Sequence, residues 1–134
     1  MKKEIYIACA TDDGENFSKE HFGSADFYLI YSLNLKNGKL KFVSRRENKS
    51  IKEKAHGDPE KAKSVAKLFK DVQILMAKVM GPNILIIRKK FIPVISNEES
   101  IRKAVNRLKK KIDLIKKNLE KPTGLIREII YINK

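Results

Sequence analysis

Residues 3–10, Lys-Glu-Ile-Tyr-Ile-Ala-Cys-Ala, constrain the fold of this chain more than any other stretch. As a strand they place Ile5, Ile7 and Cys9 on one side and Tyr6, Ala8 and Ala10 on the other, so neither side suits water. A strand apolar on both faces belongs inside a sheet covered on both sides, which points to the α/β class. Phe27-Tyr28-Leu29-Ile30-Tyr31 is a second such strand. The polar stretch between them carries the turn signal Asp13-Gly14 and, at its centre, His21-Phe22-Gly23. Two strands thus deliver a loop whose imidazole stays available to metals, protons and anions.

The remaining segments alternate in the same α/β manner. Strand 2, about residues 26–34, runs into Asn37-Gly38, whose tolerance of positive φ predicts a type I′ turn and an antiparallel third strand over 39–46. Asp58-Pro59 opens a helix, with proline at the first helical position and Ala62, Val65, Ala66 and Phe69 on one face. Residues 71–77 read as a fourth strand, parallel to an earlier one because a helix intervenes. After Gly81-Pro82 comes a short helix ending near Lys90, then a fifth strand over 91–95 that Pro93 assigns to a sheet edge. Ser96 and Glu99 form a capping-box pattern for one long amphipathic helix ending before Pro122. The tail from Leu125 to Ile132 is apolar enough for an extra strand on this sheet or a partner's. The domain is therefore expected over residues 1–120, with 121–134 as a C-terminal extension.

The length of 134 residues is that of one domain, and no apolar run reaches the length of a membrane span. The first residues enter a strand without a secretory leader pattern, so a cytoplasmic location is expected. A single cysteine excludes an internal disulfide and a self-contained zinc or iron–sulfur site built from about four Cys or His ligands. The net charge of +14 suits nucleic acid, acidic proteins or anionic clusters, and is equally met by a solvated Lys-rich surface. No nucleophile–base pair, phosphate loop or carboxylate cluster marks an enzyme.

With its order of strands and helices, Asp12-Asp13-Gly14, His21-Phe22-Gly23-Ser24-Ala25 and the strand after it, the chain resembles the dinitrogenase iron–molybdenum cofactor biosynthesis family over roughly residues 3–108. This is the NifX type, also found as the C-terminal domain of NifB proteins. His56-Gly57-Asp58-Pro59 and Met80-Gly81-Pro82-Asn83 resemble its further loops. The resemblance implies a ribonuclease-H-like motif without ribonuclease activity: a five-stranded mixed sheet in the order 3-2-1-4-5, strand 2 antiparallel, flanked by helices, with the C-terminal helix and extra strand appended. It also implies a non-catalytic binding or carrier domain for an iron–sulfur or iron–molybdenum cluster or its precursor, bound transiently. The partners would be cluster donor and acceptor proteins, and a homodimer would double the ligands. The Cys-containing Gly-rich segment that often follows strand 3 in NifB-type relatives is missing here.

The candidate site on this reading comprises Asp12, His21, Phe22, Gly23, His56, Gly57, Met80 and Gly81, with His21, His56 and Cys9 as candidate metal ligands. Each has a plainer alternative. His21 could fix its loop by bonding a carbonyl, and His56 could be a solvated residue before a helix. Cys9 fits the apolar alternation of its strand as an inert buried thiol, and Met80 could serve loop packing. The lysines of the last helix are either a solvated face or a docking face, so a nucleic-acid-binding or protein-interaction module stands as the second functional reading.

Overall fold

The computed structural model describes residues 3–49, 59–122 and 124–134. The strands are β1 (Glu4–Thr11), β2 (Phe27–Asn34), β3 (Leu40–Glu47), β4 (Ile74–Ala77), β5 (Ile92–Ser96) and β6 (Ile130–Ile132). The helices are α1 (Pro59–Leu68), α2 (Ile84–Ile87), α3 (Ile101–Leu108) and α4 (Ile112–Leu119). The strands form one sheet in the order β3-β2-β1-β4-β5-β6. β1, β2 and β3 pair antiparallel, while β1, β4, β5 and β6 pair parallel. No helix among the described residues is long and apolar enough to cross a membrane.

The two-sided pattern of β1 has the expected consequence. Ile5, Ile7 and Cys9 join one core with Ile74, Met76, Ile92 and Val94, covered by Val105 and Leu108 of α3 and Ile115 of α4. Ala8 and Ala10 join the opposite core with Tyr28, Ile30 and Leu75, covered by Val65 of α1, the following Phe69 and Ile87 of α2. Each large side chain so enclosed contributes roughly 1.5–3 kcal/mol. The small Ala8 and Ala10 leave room on the second face for the aromatic rings of Phe22, Tyr28 and Phe69.

The sheet has six strands, not five. β6 adds in parallel beside β5, with Val94 opposite Ile130 and Ser96 opposite Ile132. This moves β5 off the edge that Pro93 suggested. The Ile92 N–H donates to Gln73 on the β4 side and the Asn97 N–H to Ile132 on the β6 side. By alternation Pro93 turns its donor-less nitrogen toward β6, one residue before that strand begins to pair. The proline is thus accommodated without losing a ladder bond.

Two turns also differ from expectation. Gly38 has φ +74°, but no described non-glycine residue has positive φ, which excludes a type I′ turn. Instead the Asn34 carbonyl accepts from Gly38 N–H at 2.8 Å, and Asn34 Oδ1 accepts from the N–H groups of Lys36 and Asn37. The asparagine side chain organises a longer loop, so a two-residue turn is not needed. Ser96 completes β5, its hydroxyl donating to the Glu98 carbonyl at 2.8 Å, and Ser100 caps α3 by accepting from Lys103 N–H at 3.3 Å. Residues before the helix are occupied elsewhere, because the Glu99 carbonyl accepts from Phe17 N–H at 2.9 Å.

The expected long helix is broken by a 3-10 turn at Lys109–Lys111. A straight five-turn helix diverges from a twisted sheet, and three successive lysines offer no apolar side chain to hold it down. The break lets Leu108 and Ile115 both be fully buried. Beyond α4 the tail is fastened by Asn118, which is buried and accepts from Glu128 N–H at 2.9 Å. Asn118→Ala leaves that donor unmatched and is expected to lower stability by about 1–3 kcal/mol in urea unfolding. An unchanged midpoint would mean that the tail does not depend on this bond.

Candidate functional site

The C-terminal ends of β1 and β4 lie side by side, and the segments that leave them meet, as sites in open α/β sheets do. The loop from β1 is first shaped by its own polar residues. Thr11 donates its hydroxyl to the Asn16 carbonyl at 2.7 Å and accepts from Gly14 N–H. Asp13 accepts from the N–H groups of Asn16 and Glu15, both at 2.8 Å, and these bonds hold its carboxyl below the usual range. Asp12 clamps the loop across its width, accepting from the Ser18 hydroxyl at 2.7 Å and from Asp26 N–H at 2.9 Å. Its carboxylate therefore has a structural use.

The middle of the loop is bound to the exit of β4. His21 bridges to Val79, and Phe22 N–H donates to the Val79 carbonyl at 2.9 Å. Phe22 is fully buried, its ring 4.9 Å from Tyr28 and 5.4 Å from Phe69. The Tyr28 hydroxyl donates to the Phe22 carbonyl at 2.8 Å, and burial pushes the phenol's pKa up, so it remains a neutral donor. Phe22 thus serves as the anchor of the loop, and its neighbour His21 remains partly exposed.

Gly81 completes the arrangement. A Cβ placed there would lie 3.1 Å from His21 Cγ and 3.2 Å from both Cβ and Nδ1, and the residue has φ +101°. Only glycine lets the β4 exit lie flat against the imidazole without strain. Gly81→Ala is expected to cost about 1–3 kcal/mol through the backbone and to displace the ring. The check is an altered His21 imidazole NMR shift together with a lowered thermal midpoint. An unmoved resonance would show that the contact does not hold the ring.

Of the candidates from sequence, His21, Phe22, Gly23, Met80 and Gly81 are brought together. Met80 is buried in the same core as Phe22, which gives its thioether a packing role. Cys9 is fully enclosed in the core on the other sheet face, and burial pushes its thiol pKa up, so it does not join the loop group. His56 and Gly57 lie outside the described residues. Among the described residues, no three His, Cys, Asp or Glu side chains come together to hold a metal ion.

Sequence reasoning missed Asn48, whose amide donates to the carbonyls of Gly23 at 2.9 Å and Ala25 at 2.7 Å. Nothing local marks this residue, because only the β2–β3 register carries it to the loop. Also unforeseen is an open cleft of about 560 Å³ beside the loop. Its carboxylates Asp12, Asp13, Glu20 and Glu99 outnumber Lys19 and Lys78, so its own lining disfavours an anion. His21 is not part of this lining; its partly exposed imidazole packs against Gly81 instead.

A family model described as dinitrogenase iron–molybdenum cofactor matches residues 3–111. Among solved structures, the chain is similar to an NMR structure from Thermotoga described as a NifB-type protein of the DUF35 family. The identity is 15%, with 79% of this chain and 88% of that one covered at a TM-score of 0.49. No curated protein matches the chain.

Proposed function

The chain belongs to the dinitrogenase iron–molybdenum cofactor family, and on that footing we propose that it is a non-catalytic carrier of an iron–sulfur or iron–molybdenum-type cluster or its precursor. The observation that carries this reading is the packing of the His21 imidazole against the bare backbone of Gly81, with Phe22 buried beneath. An imidazole ligates iron, and the glycine makes room for that ring against the β4 exit, fixing its position on the loop.

The donor set explains why the cargo would be received preassembled. The one imidazole among the described residues cannot assemble a cluster from free ions, but it can hold one whose sulfides already complete most of the coordination. Weak attachment suits a carrier, because a cargo held by few ligands is readily passed on. Partners on this reading are the proteins that donate and accept the cluster, and a second copy of the chain would supply a second imidazole. Phe22, Tyr28, Asn48 and Asp12 act by positioning the loop.

Anaerobic titration of the apo-protein with a preformed iron–sulfur cluster or with thiomolybdate, followed by visible absorption and metal analysis, tests the proposal. Saturable uptake is expected. A folded protein that retains no metal after desalting contradicts it.

A further inference from the structure

The sheet face that carries α3 and α4 is unevenly covered. Ile5, Ile7, Ile74 and Ile92 are fully buried there, but on the β2–β3 side Leu29 and Tyr31 are only half-buried and Phe42 is 53% exposed. The Phe42 ring meets Tyr31 edge-on at 5.6 Å. Farther along, the Arg45 guanidinium lies 3.6 Å from the centre of the Phe27 ring. A row of aromatic and guanidinium planes is therefore left open among the described residues.

Cations border this floor. Arg102 and Tyr31 line a recess of about 380 Å³ with Ser100 and Asn16. Asn106 and Lys109 follow Arg102 at helical spacings of four and three, on the flank of α3 opposite the one from which Arg107 reaches Glu98 and Asn133 near β6. At the lower end the β2–β3 turn docks on α4, the Gly38 Cβ position lying 3.6 Å from Ile112 Cδ1. Lys36 and Lys39 flank this turn, and Lys110 and Lys111, which directly precede Ile112, are exposed. Glu47 pairs with Arg45 at 2.6 Å and Glu15 lies at the recess, which leaves the trough with an excess of cations among the described residues.

We propose that this trough over β2 and β3 binds single-stranded RNA, with bases stacking on Tyr31 and Phe42 and phosphates tracking Arg102, Lys109 and the lysines below. Aromatic planes in a basic groove are the arrangement that retains unpaired bases, and every base offers a face to stack. A duplex keeps its faces internal and cannot use the floor. The hydroxyls of Tyr31 and Ser100 can meet a ribose 2′-hydroxyl, which DNA lacks. The proposal is independent of the cluster site, since Tyr31 packs on the sheet face that carries α3 and α4, whereas Phe22, the neighbour of His21, is buried in the core on the opposite face.

Fluorescence anisotropy with a short labelled oligouridine, in low and in physiological salt, decides the matter. Binding is expected to weaken roughly tenfold in Phe42→Ala, an exposed position whose loss leaves the fold intact. Arg102→Ala combined with Lys109→Ala should reduce the salt slope by about 0.7 per cation removed. His21→Ala should bind RNA as the unsubstituted protein does, so failure here leaves the carrier proposal standing. No binding, equal binding of a duplex or of oligodeoxythymidine, or an affinity indifferent to Phe42→Ala would overturn the proposal. So would a Phe42→Ala protein that changes only its oligomeric state, since the face would then belong to a second copy.

Discussion

Phe22→Ala will destabilise the protein by about 3–5 kcal/mol and lower its thermal midpoint by roughly 10–20 °C. The side chain is fully buried and closes an aromatic cluster in which Tyr28 and Phe69 also meet, 4.7 Å apart. Truncation removes its transfer energy and leaves a cavity between rigid rings that cannot collapse to fill it. The effect should extend to the loop, because Phe22 is the one ring anchoring it to the second core. Calorimetry and hydrogen exchange of the Phe22 amide, which donates to Val79, check both parts. A loss below about 1 kcal/mol would mean that the loop is held by its backbone bonds alone.

The second large effect concerns binding. His21→Ala should abolish retention of a preformed cluster while leaving the fold intact, because the imidazole is partly exposed and the buried contacts beside it belong to Phe22. With so few ligands available, removing one is expected to remove most of the affinity, a loss of tenfold at the least. A protein that is folded by circular dichroism and takes up clusters as well as the unsubstituted one would move the ligand role away from His21. The pair of variants separates two functions of adjacent residues: Phe22 holds the loop, and His21, on the carrier proposal, is what the loop presents.

Much of this architecture was legible because β1 is apolar on both sides, which admits few surroundings. The Asn37-Gly38 pair correctly marked the return from β2 to β3 but misidentified the turn, since the Asn34 side chain takes the bonds that a tighter turn would satisfy. Ser96 and Ser100 both precede a helix pattern, and only the pairing of Glu99 with Phe17 decides between them. Pro93 pointed to an edge because the rule concerns the direction of one missing N–H, and that direction depends on where β6 starts to pair.

The site was legible in part for a related reason. His21, Gly23 and Gly81 stand out as residue types suited to polar loops and close approach, so their sequence positions were informative. Which of them meet is a matter of strand order: Val79 and Gly81 reach His21 only because β4 lies beside β1. Cys9 and Met80 have ligand chemistry in any sequence, and their burial on opposite sheet faces gives them packing roles instead. Asn48 has no local signal at all.

The most direct test of the carrier proposal is anaerobic titration of the unsubstituted protein with a preformed iron–sulfur cluster, reading metal content after desalting together with the thermal midpoint. Saturable uptake with a raised midpoint, as binding to the folded state requires, is the predicted result. A protein that emerges colourless, metal-free and with an unchanged midpoint would contradict it.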